Sequence, residues 1–273
     1  MQYGNYMSDD TRWFHPRLDD ALFWCGQRHE EGIHCTVAAL AEYATNREQS
    51  ESAMRDTVAA IRMIARKVPD STISIKPTAF GVLFDPAEYE RNLSILIEEA
   101  QHAEVGIEID MEGRDLVDIT LQSAQKMAEE YPVTVALQAY LDRTEADCRL
   151  CISKGIRVRL VKGAYLGDVK GFAEIQERLK KIFQILLASG ENFSVGTHDP
   201  EITTWIERDT QIPRHQIELG FLMGLADETK LRLAQEGWDV SEYVPYGSGG
   251  TAYRKRRERY ISLIQEAGRS LLP

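Results

Sequence analysis

From residue 35 onward the chain alternates short runs dense in Val, Ile and Leu with longer segments of helical period, eight of each. The strand-like runs are 35–39, 71–77, 105–111, 133–140, 157–163, 193–198, 217–222 and 242–247. Such runs show little polar alternation, which suits strands buried on both faces, as in a parallel sheet. The segments between them carry apolar residues at helical spacing: 51–67, 86–103, 114–130, 144–154, 172–189, 200–209, 227–237 and 251–268. Several open at Pro or at an Asp, Thr or Ser cap and several close at Gly, as helix ends do. Strict βα alternation over this length predicts the α/β class and a (β/α)8 TIM-type barrel. A doubly wound open sheet is the alternative, because periodicity does not establish closure. No linker or change of composition interrupts residues 35–273. The reading is one barrel domain over 35–273, preceded by a short N-terminal helical arm, residues 1–34.

The charge balance narrows the function. Thirty-two Lys+Arg against forty-three Asp+Glu give a net charge of −11, which repels phosphate backbones and argues against nucleic acid as a partner. The N-terminus lacks the basic and apolar regions of a signal peptide, and no window has the ~18 apolar residues of a membrane span. Cys25, Cys35, Cys148 and Cys151 are too few for a disulfide scaffold. The C-x-x-C at 148–151 falls within a helical segment and has no second pair, so reduced thiols in a cytoplasmic protein are expected. The six histidines show no H-x-x-x-H spacing, so no metal site is expected.

In a barrel of this kind chemistry gathers at the C-terminal strand ends. There the sequence places Lys76, Asp110, Gln138, Arg159, Lys162, Thr197, His198 and Tyr243, with Arg256 and Arg257 on the following helix. Each taken singly is equally well a solvated loop residue, and RKRRER taken alone reads first as a solvated helix face. Together the five cations form a positive mouth on an acidic protein, which suits a carboxylate or a phosphorylated cofactor. No G-x-G-x-x-G or nucleophile elbow is present. The residues alone lead to a barrel enzyme with an anionic ligand.

Six motifs then occur in order: IDME at 109–112, LQAYL at 137–141, RLVKGAY at 159–165, THD at 197–199, YVPYG at 243–247 and Y-x-x-RR at 253–257. Over roughly residues 35–265 the chain resembles the flavin-dependent proline dehydrogenase family in its compact monofunctional bacterial form. The resemblance implies FAD at the barrel mouth and oxidation of L-proline to 1-pyrroline-5-carboxylate. It further implies electron transfer to a quinone or another acceptor, with a cytoplasmic location or peripheral contact at the inner face of the membrane. It assigns Asp110 and Arg159 to the catalytic centre, with Arg159 also beside the flavin. Lys76, Arg256 and Arg257 would hold the substrate carboxylate, and Tyr243 and Leu222 would surround its ring. Met111, Gln138, Lys162, Gly163, Ala164, Thr197 and His198 would bind the cofactor.

Four positions depart from the family pattern. Gly220 stands for a flavin-contacting Gln, and Tyr260 for a Glu four residues after Arg256. The stretch before the arginines is Gly249-Gly250-Thr251, and Phe80 replaces a usual Leu. These changes surround the flavin ring and substrate lid, and the expectation they raise is weaker action on L-proline than on a substituted or more acidic analogue. Two other readings compete: a barrel lyase or aldolase with Lys76 or Lys162 as a Schiff base, and a flavin-free barrel that only binds.

Overall fold

The structure is a computed structural model that describes residues 12–163, 167–209, 212–266 and 268–270. Helix α1 (Leu18–Glu30) precedes strand β1 (His34–Ala39). Seven βα units follow: α2 (Arg47–Lys67) and β2 (Thr72–Ile75), α3 (Pro86–Ala103) and β3 (Ile107–Ile109), α4 (Val117–Ala128) and β4 (Val133–Gln138), α5 (Thr144–Ser153) and β5 (Arg157–Val161). Then come α6 (Phe172–Ser189) and β6 (Phe193–Gly196), α7 (Pro200–Asp209) and β7 (Ile217–Leu222), α8 (Asp227–Gln235) and β8 (Asp239–Tyr246), and finally α9 (Gly250–Glu266). Local chemistry sets the ends. Asp85 caps α3 by accepting the Glu88 N–H, and Pro86 opens its first turn. Asn46 does the same for α2 through Gln49, so that helix begins four residues before the expected Glu51. Gly190, at φ +78°, ends α6 in the left-handed conformation.

All eight strands are parallel and the sheet closes: β1 pairs with β2 on one side and with β8 on the other, from His34↔Ser241 to Ala39↔Tyr246. Closure decides against the open-sheet alternative. The outward positions, such as Val37, Ile73, Ile107, Val135, Leu160, Val195, Leu219 and Val240, meet the helices in one apolar core.

The lumen is different. Bulky aliphatic layers are the usual filling of such barrels, but here Thr36, Thr72, Glu108, Arg157, Arg159, Glu218 and Ser241 join across it. Arg159 on β5 reaches Glu108 on β3, and Arg157 reaches Glu218 on β7 at 2.9 Å. Strands two apart can be bridged in this way only across the interior.

Two helices depart from a simple ring. Helix α1 buries Ala21, Leu22 and Cys25 in the main core and packs against β1 and β8. Helix α9 instead lies across the mouth, where Tyr253 packs with Trp13, Leu225 and Leu222. Behind β8, Glu242 is fully buried with Lys230 of α8, also fully buried. Arg28 of α1 joins them at 3.2 Å, and Trp24 donates its indole N–H to Glu242 at 2.6 Å. A charge stranded in such a network is costly, about 3–5 kcal/mol when one partner is removed. Glu242→Gln is therefore expected to destabilise the fold by about that amount in urea unfolding, while the double change Glu242→Leu with Lys230→Met loses less. Equal losses in the two proteins would remove the pairing argument.

Candidate active site

Past the lumen network, toward the C-terminal strand ends, a half-buried carboxylate organises the mouth. Asp110, the first residue beyond β3, takes an ion pair from Lys76 at 2.9 Å and a hydrogen bond from the Tyr243 hydroxyl at 2.6 Å. Its other oxygen pairs with Arg159. Lys76 also donates to the Tyr243 oxygen at 3.0 Å. Four elements thus meet at one carboxyl group. Strand period two explains the placement, since Glu108 and Asp110 face the same side and both engage Arg159.

The charges hold each other in place. Burial alone would raise the Asp110 pKa, but Lys76 and Arg159 outweigh it and keep the carboxyl well below the usual carboxylate range. Burial would lower the Lys76 pKa, but Tyr243 and Asp110 raise it well above an ordinary lysine. The Tyr243 phenol is pushed up by burial and then by Asp110. Lys76 is therefore held as an ammonium, the wrong state for a Schiff-base nucleophile. Arg159 and Lys76 flank the Tyr243 ring, each 5.7 Å from its centroid.

The other side of the mouth is less saturated. Gln138 donates to the carbonyls of Met111 and Glu112 at 3.2 Å, while its own buried Oε1 has no partner. Met111 is buried beneath it. Lys162 lies over the rings of Phe172 at 3.7 Å and Tyr260 at 5.4 Å. Burial lowers its pKa to about 8. Gly163 has φ +124°, and the Tyr140 ring fills the space a Cβ would need, so glycine is required there. Thr197 accepts the Asp199 N–H on its hydroxyl at 3.1 Å. His198 accepts the Leu222 N–H on Nε2 at 2.9 Å. Burial first, and then Lys230, Arg257 and Lys162, lower the His198 pKa to about 3. The imidazole is neutral with its proton on Nδ1. A cleft beside it is lined by Phe172, His198, Asp199, Pro200, Tyr260 and Arg269.

Helix α9 forms the roof. Tyr253 is buried with an unpartnered hydroxyl, and Arg257 sits over its ring at 5.1 Å with a buried Nε that also lacks a partner. Arg256 turns instead to Glu42 after β1, at 2.7 Å. The structure thus gathers Lys76, Asp110, Arg159 and Tyr243 in one cluster, and Gln138, Lys162 and His198 around the same mouth. Leu222 joins Tyr253 above them, and Ala164 lies outside the described residues. Asp110, Lys162, Thr197 and His198 fall just beyond their strands, although Asp110 and Thr197 still donate their backbone N–H groups to Ile75 and Gly220 of the neighbouring strands.

Four residues of the site carry no assigned role in the sequence, although Glu112 and Tyr253 belong to two of its motifs. Glu108 stands two places before Asp110, a signal that strand period supplied. Glu112, fully buried, fixes the turn after Lys76 by accepting the Thr78 N–H at 3.0 Å and its hydroxyl at 2.5 Å. Glu42 and Tyr253 needed the roof's position to be seen.

A closed (β/α)8 barrel with a carboxylate-braced cationic mouth defines a barrel enzyme. The sequence model of the family described as Proline dehydrogenase matches residues 24–259. Proline dehydrogenase 2 of Bacillus subtilis is 30% identical over 239 residues, covering 85% of this chain and 79% of that protein. Proline dehydrogenase 1 of the same organism is 29% identical over 251 residues, covering 88% and 82%. The crystal structure of proline utilization A from Bdellovibrio bacteriovorus superposes with a TM-score of 0.80 at 20% identity, over 91% of this chain and 32% of that one. The chain belongs to the proline dehydrogenase family, and it spans about a third of the length of the solved structures it matches. Among the described residues no helix is long and apolar enough to cross a membrane.

Lys162 gives this half of the mouth a pH signature. With its pKa lowered to about 8, it carries charge below that pH and loses it above. Anion binding at this side is expected to weaken as pH rises through about 8. Lys162→Met is expected to lower anion affinity at this side about ten- to a hundredfold, the loss of one charge-assisted contact, and to flatten that pH step. Titration of the protein with pyrophosphate at pH 7 and pH 9 reads both effects, and a step that persists in the variant would remove Lys162 as its source.

Proposed function

We propose that this protein is an FAD-dependent proline dehydrogenase that oxidises L-proline to 1-pyrroline-5-carboxylate. The observation that carries the reading is the half-buried cluster of Asp110, Lys76, Arg159 and Tyr243 beneath a roof of Tyr253 and Arg257, in a chain of this family. The mouth suits FAD. Unpartnered buried polar atoms on Gln138 and Arg257 await a ligand, the Lys162 ammonium suits its phosphates, and the cleft at His198 leaves room for part of an extended molecule. Met111, Gln138, Arg159, Lys162, Gly163, Ala164, Thr197 and His198 would hold it. Bound there, FAD would supply the hydride acceptor. The quinone or other acceptor that takes the electrons onward, and any contact with a membrane face, rest on the family resemblance.

The remaining work belongs to the chain's own side chains. Arg257, with Lys76 and Arg256, anchors the carboxylate of an amino acid, and a guanidinium does this bidentately and so fixes the ring's orientation. Tyr243 and Leu222 flank the ring. Asp110 keeps Lys76 and Arg159 charged and placed, and Arg159 stabilises negative charge that develops next to it. The roof of α9 excludes water, which strengthens each of these contacts.

Arg257→Met is expected to raise KM for L-proline about ten- to a hundredfold while bound flavin is kept. Arg159→Met should instead slow flavin reduction more than it weakens binding. Anaerobic bleaching of the purified yellow protein by L-proline measures both, and unchanged kinetics in the two variants would sink the assignment. A colourless protein that takes up no FAD would sink the function itself.

One observation favours a wider substrate range. Gly196 and Gly220 are neighbours on β6 and β7, so the wall there carries no side chains. A Cβ at Gly220 would meet Ser241 Oγ at 3.4 Å and Gly196 Cα at 3.7 Å, ordinary contacts that leave the space usable. Gly220→Ala should fold normally and shift the kcat/KM ratio of hydroxyproline and pipecolate to proline downward. A ratio unchanged by the substitution would mean that the hollow does not touch the substrate.

A further inference from the structure

The segment before α1 falls outside the family match, which begins at residue 24, yet it packs into the roof of the mouth. His15 ties it to β8: its N–H donates to the Pro245 carbonyl at 2.9 Å, and the Gly247 N–H donates back to the His15 carbonyl at 2.9 Å. Arg12 donates to the Gly224 carbonyl at 3.2 Å and lies over the Trp13 ring. Trp13 is only 4% exposed and belongs to a small apolar cluster with Leu225 and Tyr253, against which Phe14, Leu40, Leu222 and Ile261 pack. That cluster is separate from the barrel core and joins residues 13–14 to α9.

Glycines record how closely these pieces approach. At Gly250, the first residue of α9, the Phe14 ring occupies the space a Cβ would need. At Gly249 the Leu40 carbonyl does so, and at Gly224 the Arg12 backbone. Alanine is intrinsically the better helix former, so what calls for Gly250 at the start of α9 is the ring against it. Within the first three turns of this helix stand Tyr253, Arg256, Arg257 and Tyr260, whose positions follow from where its first turn is held.

We propose that Trp13 and Phe14 are positioning residues for the substrate side of the mouth: this N-terminal strap seats the first turn of α9 and through Tyr253 sets the place of Arg256 and Arg257. The inference rests on reading those arginines as the carboxylate anchor. The strap's apolar contacts run to α9, Leu40, Leu222 and Leu225, so its loss is expected to act on substrate binding more than on cofactor binding.

The test uses the full-length, flavin-loaded protein with Gly250→Ala, Phe14→Leu and the two combined. Gly250→Ala sets a methyl against the Phe14 ring and is expected to raise KM for L-proline about tenfold while kcat and flavin content change less than about threefold. Trypsin cleavage within the basic stretch 254–259 should speed up about tenfold as the helix lifts. Leucine at 14 vacates the ring's far edge, so the double variant should return both values to within about threefold of wild type. Trp13→Ala gives a second route to the same loosening that does not depend on Gly250→Ala folding. Wild-type KM and cleavage in Gly250→Ala and Trp13→Ala, or a double variant as impaired as Gly250→Ala, would overturn the proposal. Cleavage that rises and is rescued, in a protein that never bleaches with proline, supports the strap and refutes the substrate reading.

Discussion

The Asp110 carboxylate, half-buried and shared by Lys76, Arg159 and Tyr243, is the interaction on which the mouth depends. Two cations and a phenol from three other parts of the barrel converge on it, and none could sit there alone. An unpaired ammonium in such a place would tend to shed its proton, and an unpaired guanidinium, which keeps its charge, would pull in water. Because the carboxylate is present, both cations stay charged and in place with little solvent nearby, which favours strong recognition of an anion.

The same logic runs through the lumen beneath. Glu108 continues the chain of charge from Arg159 to Thr36 and Thr72, and Arg157 with Glu218 and Ser241 forms a second bridge. These polar bridges replace the aliphatic layers that fill most barrels of this kind. They fix the angular position of the catalytic strands relative to one another, because a guanidinium clamped on two carboxylates has little freedom. A third network, of Glu242, Lys230 and Arg28, lies outside the sheet and ties α1 to β8 and α8. With α1 packed on β1 and β8, the last helix is free to cross the mouth.

Helix α9 carries the residues that close the mouth, so its seating links fold to function. The adjacent Arg256 and Arg257 differ in their surroundings. Arg256 is paired with Glu42 on the loop after β1, whereas Arg257 lies over Tyr253 with a buried nitrogen unsatisfied. The second is the better prepared for a ligand, since an incoming carboxylate would complete its hydrogen bonding rather than break an existing pair.

Much of this was legible in the chain itself. Periodicity marked all eight strands and the helices between them, because burial on both faces and on one face leave different patterns of apolar residues. Strand ends carried Lys76, Asp110, Gln138 and Tyr243 in plain view, and motif order pointed to the family. The sequence could not show that Glu42 and Glu112 serve the mouth, since each is an ordinary acid in a loop until closure brings it against Arg256 or Thr78. It could not show the polar lumen either, because its members are scattered one or two to a strand and become neighbours only across the closed sheet. Local sequence determines which elements form, through caps, turns and hydrophobic spacing that act over a few residues. Which charges meet, and that a strap of residues 12–15 would lie against a helix more than two hundred residues away, was decided by tertiary packing, because contacts at that separation depend on closure and leave no periodic trace.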